Sequence, residues 1–156
     1  MTPDTFHKIS MAQLAYVRCI DEGRLEEWPD FFLDDCKYVI TTDRNHRQGL
    51  EAGIVWADSR DMLRDRVSSL RDANIYEPHS YRHILNPPFI LQEEGGEVES
   101  ETSFLVIRVI EAGPMDVFSA GRYINRYRID GEDVKLRERL VVCDSSHFDT
   151  LLAIPL

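Results

Sequence analysis

The run Val98-Glu99-Ser100-Glu101-Thr102-Ser103-Phe104-Leu105-Val106-Ile107-Arg108-Val109-Ile110 alternates with a period of two, as a strand does when successive side chains point to opposite faces. Three other stretches beyond Pro78 share that period: Tyr81 to Leu91, Val117 to Ile129 and Val134 to Val142. Between the four lie Glu94-Gly95-Gly96-Glu97, Gly113-Pro114-Met115-Asp116 and Asp130-Gly131-Glu132-Asp133. Short, glycine-bearing links of this kind reverse the chain tightly and favour antiparallel hairpins. The second half of the chain therefore reads as a meander of four long strands.

The first half reads as helices. From about Phe6 to Asp21, Ile9, Ala12, Tyr16 and Cys19 fall at helical spacing and make one apolar face. Pro3 suits the start and Gly23 the stop. A short second helix is expected over Leu25 to Phe32, with Trp28, Phe31 and Phe32 turned inward and Pro29 confined to the first turn, because later it would remove a helix hydrogen bond. Cys36 to Thr41 reads as a strand with Tyr38 and Ile40 on one face and Lys37 and Val39 on the other. Thr42 to Gly49, with Asp43-Arg44-Asn45-His46-Arg47 inside it, reads as a polar loop. A third helix is expected over Ser59 to Ala73, with Met62, Leu63, Val67 and Leu70 apolar and Arg60, Asp61, Arg64 and Asp65 covering the rest. Helices first and a meander afterwards define an α+β domain, its helices packed on one face of a curved, mainly antiparallel sheet. No repeat or linker interrupts residues 1–156, which fit a single domain with one core. The tail, Leu151 to Leu156, is apolar enough to dock on its own core or on a neighbouring subunit.

A net charge of −10 repels phosphate backbones and anionic lipid surfaces, so neither nucleic acid nor membrane is an expected partner. No apolar run approaches the roughly 20 residues that span a bilayer. The start, Met1-Thr2-Pro3-Asp4-Thr5, lacks the basic and apolar regions of a signal peptide, so a cytoplasmic location is expected. The three cysteines, Cys19, Cys36 and Cys143, are odd in number and scattered, which points to reduced, buried thiols rather than a disulfide framework.

Little here can carry chemistry. His79 and His83 are four apart, but in a strand that spacing separates them by about 13 Å, too far to share one ion. Arg82 and His83 open a hydrophobic strand and need partners, such as Asp61 or Asp65 of the third helix, because unpaired buried charge is costly. Alternatively His83 stands in a cavity as a general base. Asp43, His46 and Arg47 make either a solvated loop or a partner contact. There is no Gly-rich phosphate loop, no nucleophile elbow, no cysteine spacing for an iron–sulfur cluster and no trio of two histidines and a carboxylate for non-haem iron.

Several strings, in order along the chain, resemble a known family. They are Glu27-Trp28-Pro29-Asp30-Phe31-Phe32 leading into Cys36-Lys37-Tyr38, Asp61-Met62-Leu63 with Asp65-Arg66, Tyr81-Arg82-His83-Ile84, Phe118-Ser119-Ala120-Gly121-Arg122-Tyr123, and Glu138-Arg139-Leu140 followed by Val142-Cys143-Asp144-Ser145. Their order resembles the cone-shaped NTF2-like fold and, within it, the small (β) subunits of Rieske-type aromatic-ring-hydroxylating dioxygenases. The resemblance implies a non-catalytic chain without a cofactor of its own. It implies a large (α) partner subunit carrying a Rieske 2Fe-2S cluster and a mononuclear non-haem iron, self-association as a trimer within a three-plus-three hetero-hexamer, and a reductase that reaches the complex indirectly. The reaction implied is cis-dihydroxylation of an aromatic carboxylate with O2 and electrons derived from NADH.

Trp56, Arg66, Tyr81, Arg82 and His83 are the candidate partner contacts, being aromatic or cationic and lying where the family likeness is concentrated. The competing expectation is a stand-alone NTF2-like dehydratase or isomerase, with His83 as base and Tyr38 and Asp43 assisting inside the cone.

Overall fold

Pro3 opens helix α1 (Pro3–Asp21), its missing N–H falling where a helix has no partner for one, and Asp4 stands beside the positive end of the helix dipole. The buried positions Ile9, Gln13, Tyr16, Val17 and Ile20 recur at three- and four-residue steps and form the inward stripe. The computed structural model describes residues 3–50, 53–73, 79–145 and 154–156. Leu25–Phe31 is a 3-10 helix rather than an α-helix, and Pro29 lies beyond its first turn. In an α-helix the proline ring would strike the carbonyl four residues back. Here the short, tighter helix stops at Phe31, and the Phe32 N–H is donated to the Pro29 carbonyl. Trp28 and Phe32 are fully buried, as expected.

Strand β1 (Phe32–Thr42) follows, longer than its sequence pattern suggests. The expected loop after it contains a one-turn helix, α2 (Asp43–Arg47), started by Thr42 Oγ1, which accepts the Asn45 N–H at 3.1 Å. Five residues are too few to leave a periodic signal. A three-residue strand, β2 (Val55–Ala57), pairs antiparallel with β1 and was not legible for the same reason. Helix α3 (Arg60–Ala73) buries Leu63, Val67 and Leu70, while Met62 lies off that stripe and is exposed.

The stretch from Tyr81 to Leu91 is not one strand. Asn86-Pro87-Pro88 divides it into β3 (Ser80–Leu85) and β4 (Phe89–Glu94), because two prolines have no N–H for a ladder. Both pieces pair antiparallel with β5 (Glu97–Val109), β3 along Phe104 to Val109 and β4 along Glu97 to Glu101. β6 (Met115–Asp130) and β7 (Asp133–Cys143) complete the meander. The β4–β5 reversal uses Gly95 and Gly96 at φ 59° and 84°, both in the region that favours glycine.

The strand order is β2-β1-β7-β6-β5-β3, with β4 also on β5. Every pair is antiparallel except β1 with β7, where Tyr38 faces Arg139 and Ile40 faces Val141 in parallel register. The sheet is thus mixed, though mainly antiparallel. Its inner face supplies Tyr38, Ile40, Phe104, Val106, Tyr123, Tyr127, Leu136 and Val141 to a core closed by α1, the 3-10 helix and α3. Ile154 and Leu156 are buried in that core, so this part of the tail docks on its own chain, while Leu151 to Ala153 lie outside the described residues. All three cysteines are free and buried. Among the described residues no helix is long and apolar enough to cross a membrane.

Candidate functional site

The concave interior is the place where a cone of this shape could hold a ligand, and aromatic side chains crowd its centre. Trp28 meets Tyr38 edge-on at 5.1 Å and Phe32 at 5.7 Å, and Tyr16 closes on Phe31 at 5.5 Å. At the centre Arg139 lies between two aromatic faces, its guanidinium carbon 4.0 Å from the Tyr16 ring centre and 4.1 Å from that of Tyr123. Its Nε donates to Asn125 Oδ1 at 2.9 Å and one Nη to the Tyr127 hydroxyl at 3.2 Å. No carboxylate pairs with it among the described residues. Burial pushes the hydroxyls of Tyr16, Tyr38, Tyr81, Tyr123 and Tyr127 above the ordinary phenol range. The hydroxyls of Tyr16, Tyr38 and Tyr127 make hydrogen bonds there.

The partner of His83 differs from the one its sequence context suggests. His83 Nδ1 lies 2.6 Å from Asp21 Oδ1, and its backbone N–H donates to Asp21 Oδ2 at 2.9 Å. Asp21 is the last residue of α1, which packs along β3, whereas Asp61 stands exposed on α3 and pairs with Arg64 at 2.9 Å. Asp65 is likewise exposed. The His83 side chain has no exposed surface, and its Nε2 is buried without a hydrogen-bond partner among the described residues. Arg82, the next residue along β3, projects to the opposite, exposed side.

The trio suggested for an enzyme does not assemble. Tyr38 and His83 lie inside, but Tyr38 bonds to the Leu156 backbone and His83 to Asp21. Asp43 sits at the start of α2 and pairs with Arg47 at 2.6 Å and Arg122 at 3.8 Å. Among the described residues no group of three or more His, Cys, Asp or Glu is placed to hold a metal ion.

The five candidate contacts divide. Trp56 on β2 is 49% exposed and Arg82 is exposed on β3, whereas Arg66 on α3 is half-buried. Tyr81 and His83 belong to the core, Tyr81 stacked on Phe118 at 5.1 Å, so they present no surface to a partner. Single-strand alternation puts Arg82 outside and its two neighbours inside.

The exposed apolar residues that sequence reading missed lie on the outer side. Met115 is 71%, Phe89 69% and Val117 62% exposed, and Ile84 and Leu91 are also uncovered. A cavity of about 400 Å³ opens on the outer face of the sheet between α2 and β4, lined by Lys37, Val39, His46, Leu50, Ile124 and Leu140 among others. Beside it runs a ladder of cross-strand ion pairs, Arg126–Glu99 at 3.1 Å and Arg137–Glu97 at 2.9 Å. Arg137 holds the Glu97 carboxyl below its usual range. An aromatic-packed centre and an apolar, charged outside suit a scaffold with surfaces to cover.

The class follows first from shape. The chain is an NTF2-like α+β domain, and a protein of *Novosphingobium aromaticivorans* DSM 12444 assigned as a scytalone dehydratase shares this fold at a TM-score of 0.71, with 14% identity over 96% of this chain and 91% of the other. The family is narrower. A model for the ring hydroxylating beta subunit matches residues 16–150, and the chain belongs to that family. It is 48% identical over 150 residues to terephthalate 1,2-dioxygenase, terminal oxygenase component subunit beta 2, of *Comamonas* sp., covering 96% of this chain and 97% of that one. A crystal structure assigned as the β subunit of an aromatic-ring-hydroxylating dioxygenase from *Novosphingobium aromaticivorans* DSM 12444 superposes with a TM-score of 0.90, at 36% identity and 97% coverage of both chains.

Proposed function

We propose that this chain is the non-catalytic small subunit of an aromatic-ring-hydroxylating dioxygenase acting on terephthalate. It assembles and steadies a large subunit that bears the Rieske cluster and the mononuclear iron. Three copies associate as a trimer beneath three large subunits, in the cytoplasm, and a reductase feeds electrons to the large subunits. The observation that carries the reading is the match to the ring hydroxylating beta subunit family over residues 16–150; an interior in which Arg139 packs between the rings of Tyr16 and Tyr123 agrees with it. The choice of terephthalate rests on the near-full-length likeness to the *Comamonas* subunit. Trp56 and Arg82 are the members of the candidate set exposed enough to meet a partner, with Arg66 beside them and Tyr81 and His83 supporting the surface from within.

The test is reconstitution. The large subunit, reductase, NADH and terephthalate are combined with and without this chain, and the cis-dihydrodiol is measured. Turnover is expected only when the large subunit is present, with this chain raising it. The His83→Ala variant is expected to need a higher subunit concentration and then to reach full turnover. Dehydration or isomerisation catalysed by this chain alone, and lost in His83→Ala, would favour the enzyme reading instead.

A further inference from the structure

Two exposed surfaces of this chain lack opposite things. On the outer face of the sheet the register sets Arg82 of β3, Ile107 of β5 and Val117 of β6 in one row, with Ile84 and Met115 in the rows on either side. Ile84, Met115 and Val117 are uncovered, and Arg82 stands exposed among them with no ion pair among the described residues. The charged remainder of that face is matched within the chain, Glu99 with Arg126, Glu97 with Arg137, and Glu101 with Arg122 at 3.6 Å. At the other edge, β2 turns Trp56 outward beside exposed Ile54. Asp58 follows, exposed, and its N–H is donated to Met62 Sδ at 3.5 Å, which brings the exposed Met62 alongside. Asp58 likewise has no ion pair among the described residues. One surface is therefore apolar with a spare cation, and the other is aromatic and apolar with a spare carboxylate. β2 and β3 end the strand order, so the two surfaces stand at opposite ends of one sheet.

We propose that the β3 surface of one copy docks on the β2 surface of the next, with Arg82 over the Trp56 ring and against the Asp58 carboxylate. The occupant is a second copy of this chain. A guanidinium suits both neighbours at once, since it stacks on an indole face and pairs with a carboxylate. A twofold contact of the β3 surface with itself does not fit, because it would bury two Arg82 side chains with no spare carboxylate between them. Contact between two different surfaces is head-to-tail and closes into a ring when the rotation allows. The inference rests on the self-association proposed above and supplies the surfaces that make it.

Charge reversal on the full chain tests it, with oligomeric state followed by sedimentation over a range of concentrations. Arg82→Asp and Asp58→Arg are each expected to raise the half-dissociation concentration about tenfold or more, and the double variant to recover most of that loss. Both side chains are exposed, so the variants should keep the parent's Tm. Single variants as oligomeric as the parent would overturn the docking and leave self-association standing, as would a double variant no better than either single one. Single variants that keep the oligomer but lose the large subunit would assign the β3 surface to that subunit and overturn it too. A parent that stays monomeric at every concentration would overturn the self-association reading itself, and this inference with it.

Discussion

Arg139 carries a charge into the middle of the core, and among the described residues no carboxylate pairs with it. Several kcal/mol of desolvation must be offset, and the structure offers two aromatic faces, an amide oxygen and a phenol oxygen. Lysine keeps the charge but has neither the planar stack nor the fork. Arg139→Lys is therefore expected to lower unfolding free energy in urea by about 2 kcal/mol, and an unchanged midpoint would show that the stacking contributes nothing. Asp21 makes two hydrogen bonds to His83, so Asp21→Ala should cost about 3 kcal/mol, read from the same titration. The thiols set a pH dependence. Burial pushes Cys19 and Cys36 from 9.0 up to about 11, so the unfolded chain loses these protons first as pH rises. Their contribution to stability is complete below pH 9 and is lost between about pH 9 and about pH 11. At pH 8 a disulfide reagent should leave the folded chain unlabelled and react once it is unfolded, whereas rapid labelling of the native protein would contradict the burial.

The elements show where sequence periodicity works and where it fails. Long strands and helices with a single buried stripe were legible, because β5, α1 and α3 each repeat their period several times. The one-turn α2 and three-residue β2 were not. Nor was the inward place of Arg139. The register shift opposite Arg126 and Tyr127 puts an extra residue into β7, so Leu136 and Arg139 share the inner face although three residues apart. The partner of His83 was missed because Asp21 is distant in sequence and adjacent only through the packing of α1 on β3. Gly121 is another element-scale constraint. A Cβ there would lie 2.0 Å from the Val142 carbonyl oxygen, which is backbone and cannot swing away. Gly121→Ala should separate β6 from β7 and destabilise the chain by about 3 kcal/mol, measurable as a lowered Tm. A variant as stable as the parent would mean that the strands open there without cost.

At the scale of the whole molecule, the family strings and the α+β order were readable end to end, because they depend on the succession of elements and not on any single contact. The exposed apolar surface was not readable, since it is assembled from β3, β4 and β6 side chains far apart in sequence, such as Ile84, Phe89 and Met115. A chain with such uncovered apolar side chains should not remain a monomer in its host. The most direct measurement is purification of the tagged chain from its native source, followed by sizing, iron analysis and a visible spectrum. The expected result is a stoichiometric complex with a larger chain, containing iron and showing iron–sulfur absorbance. A colourless, iron-free protein running as a monomer or dimer would contradict the account.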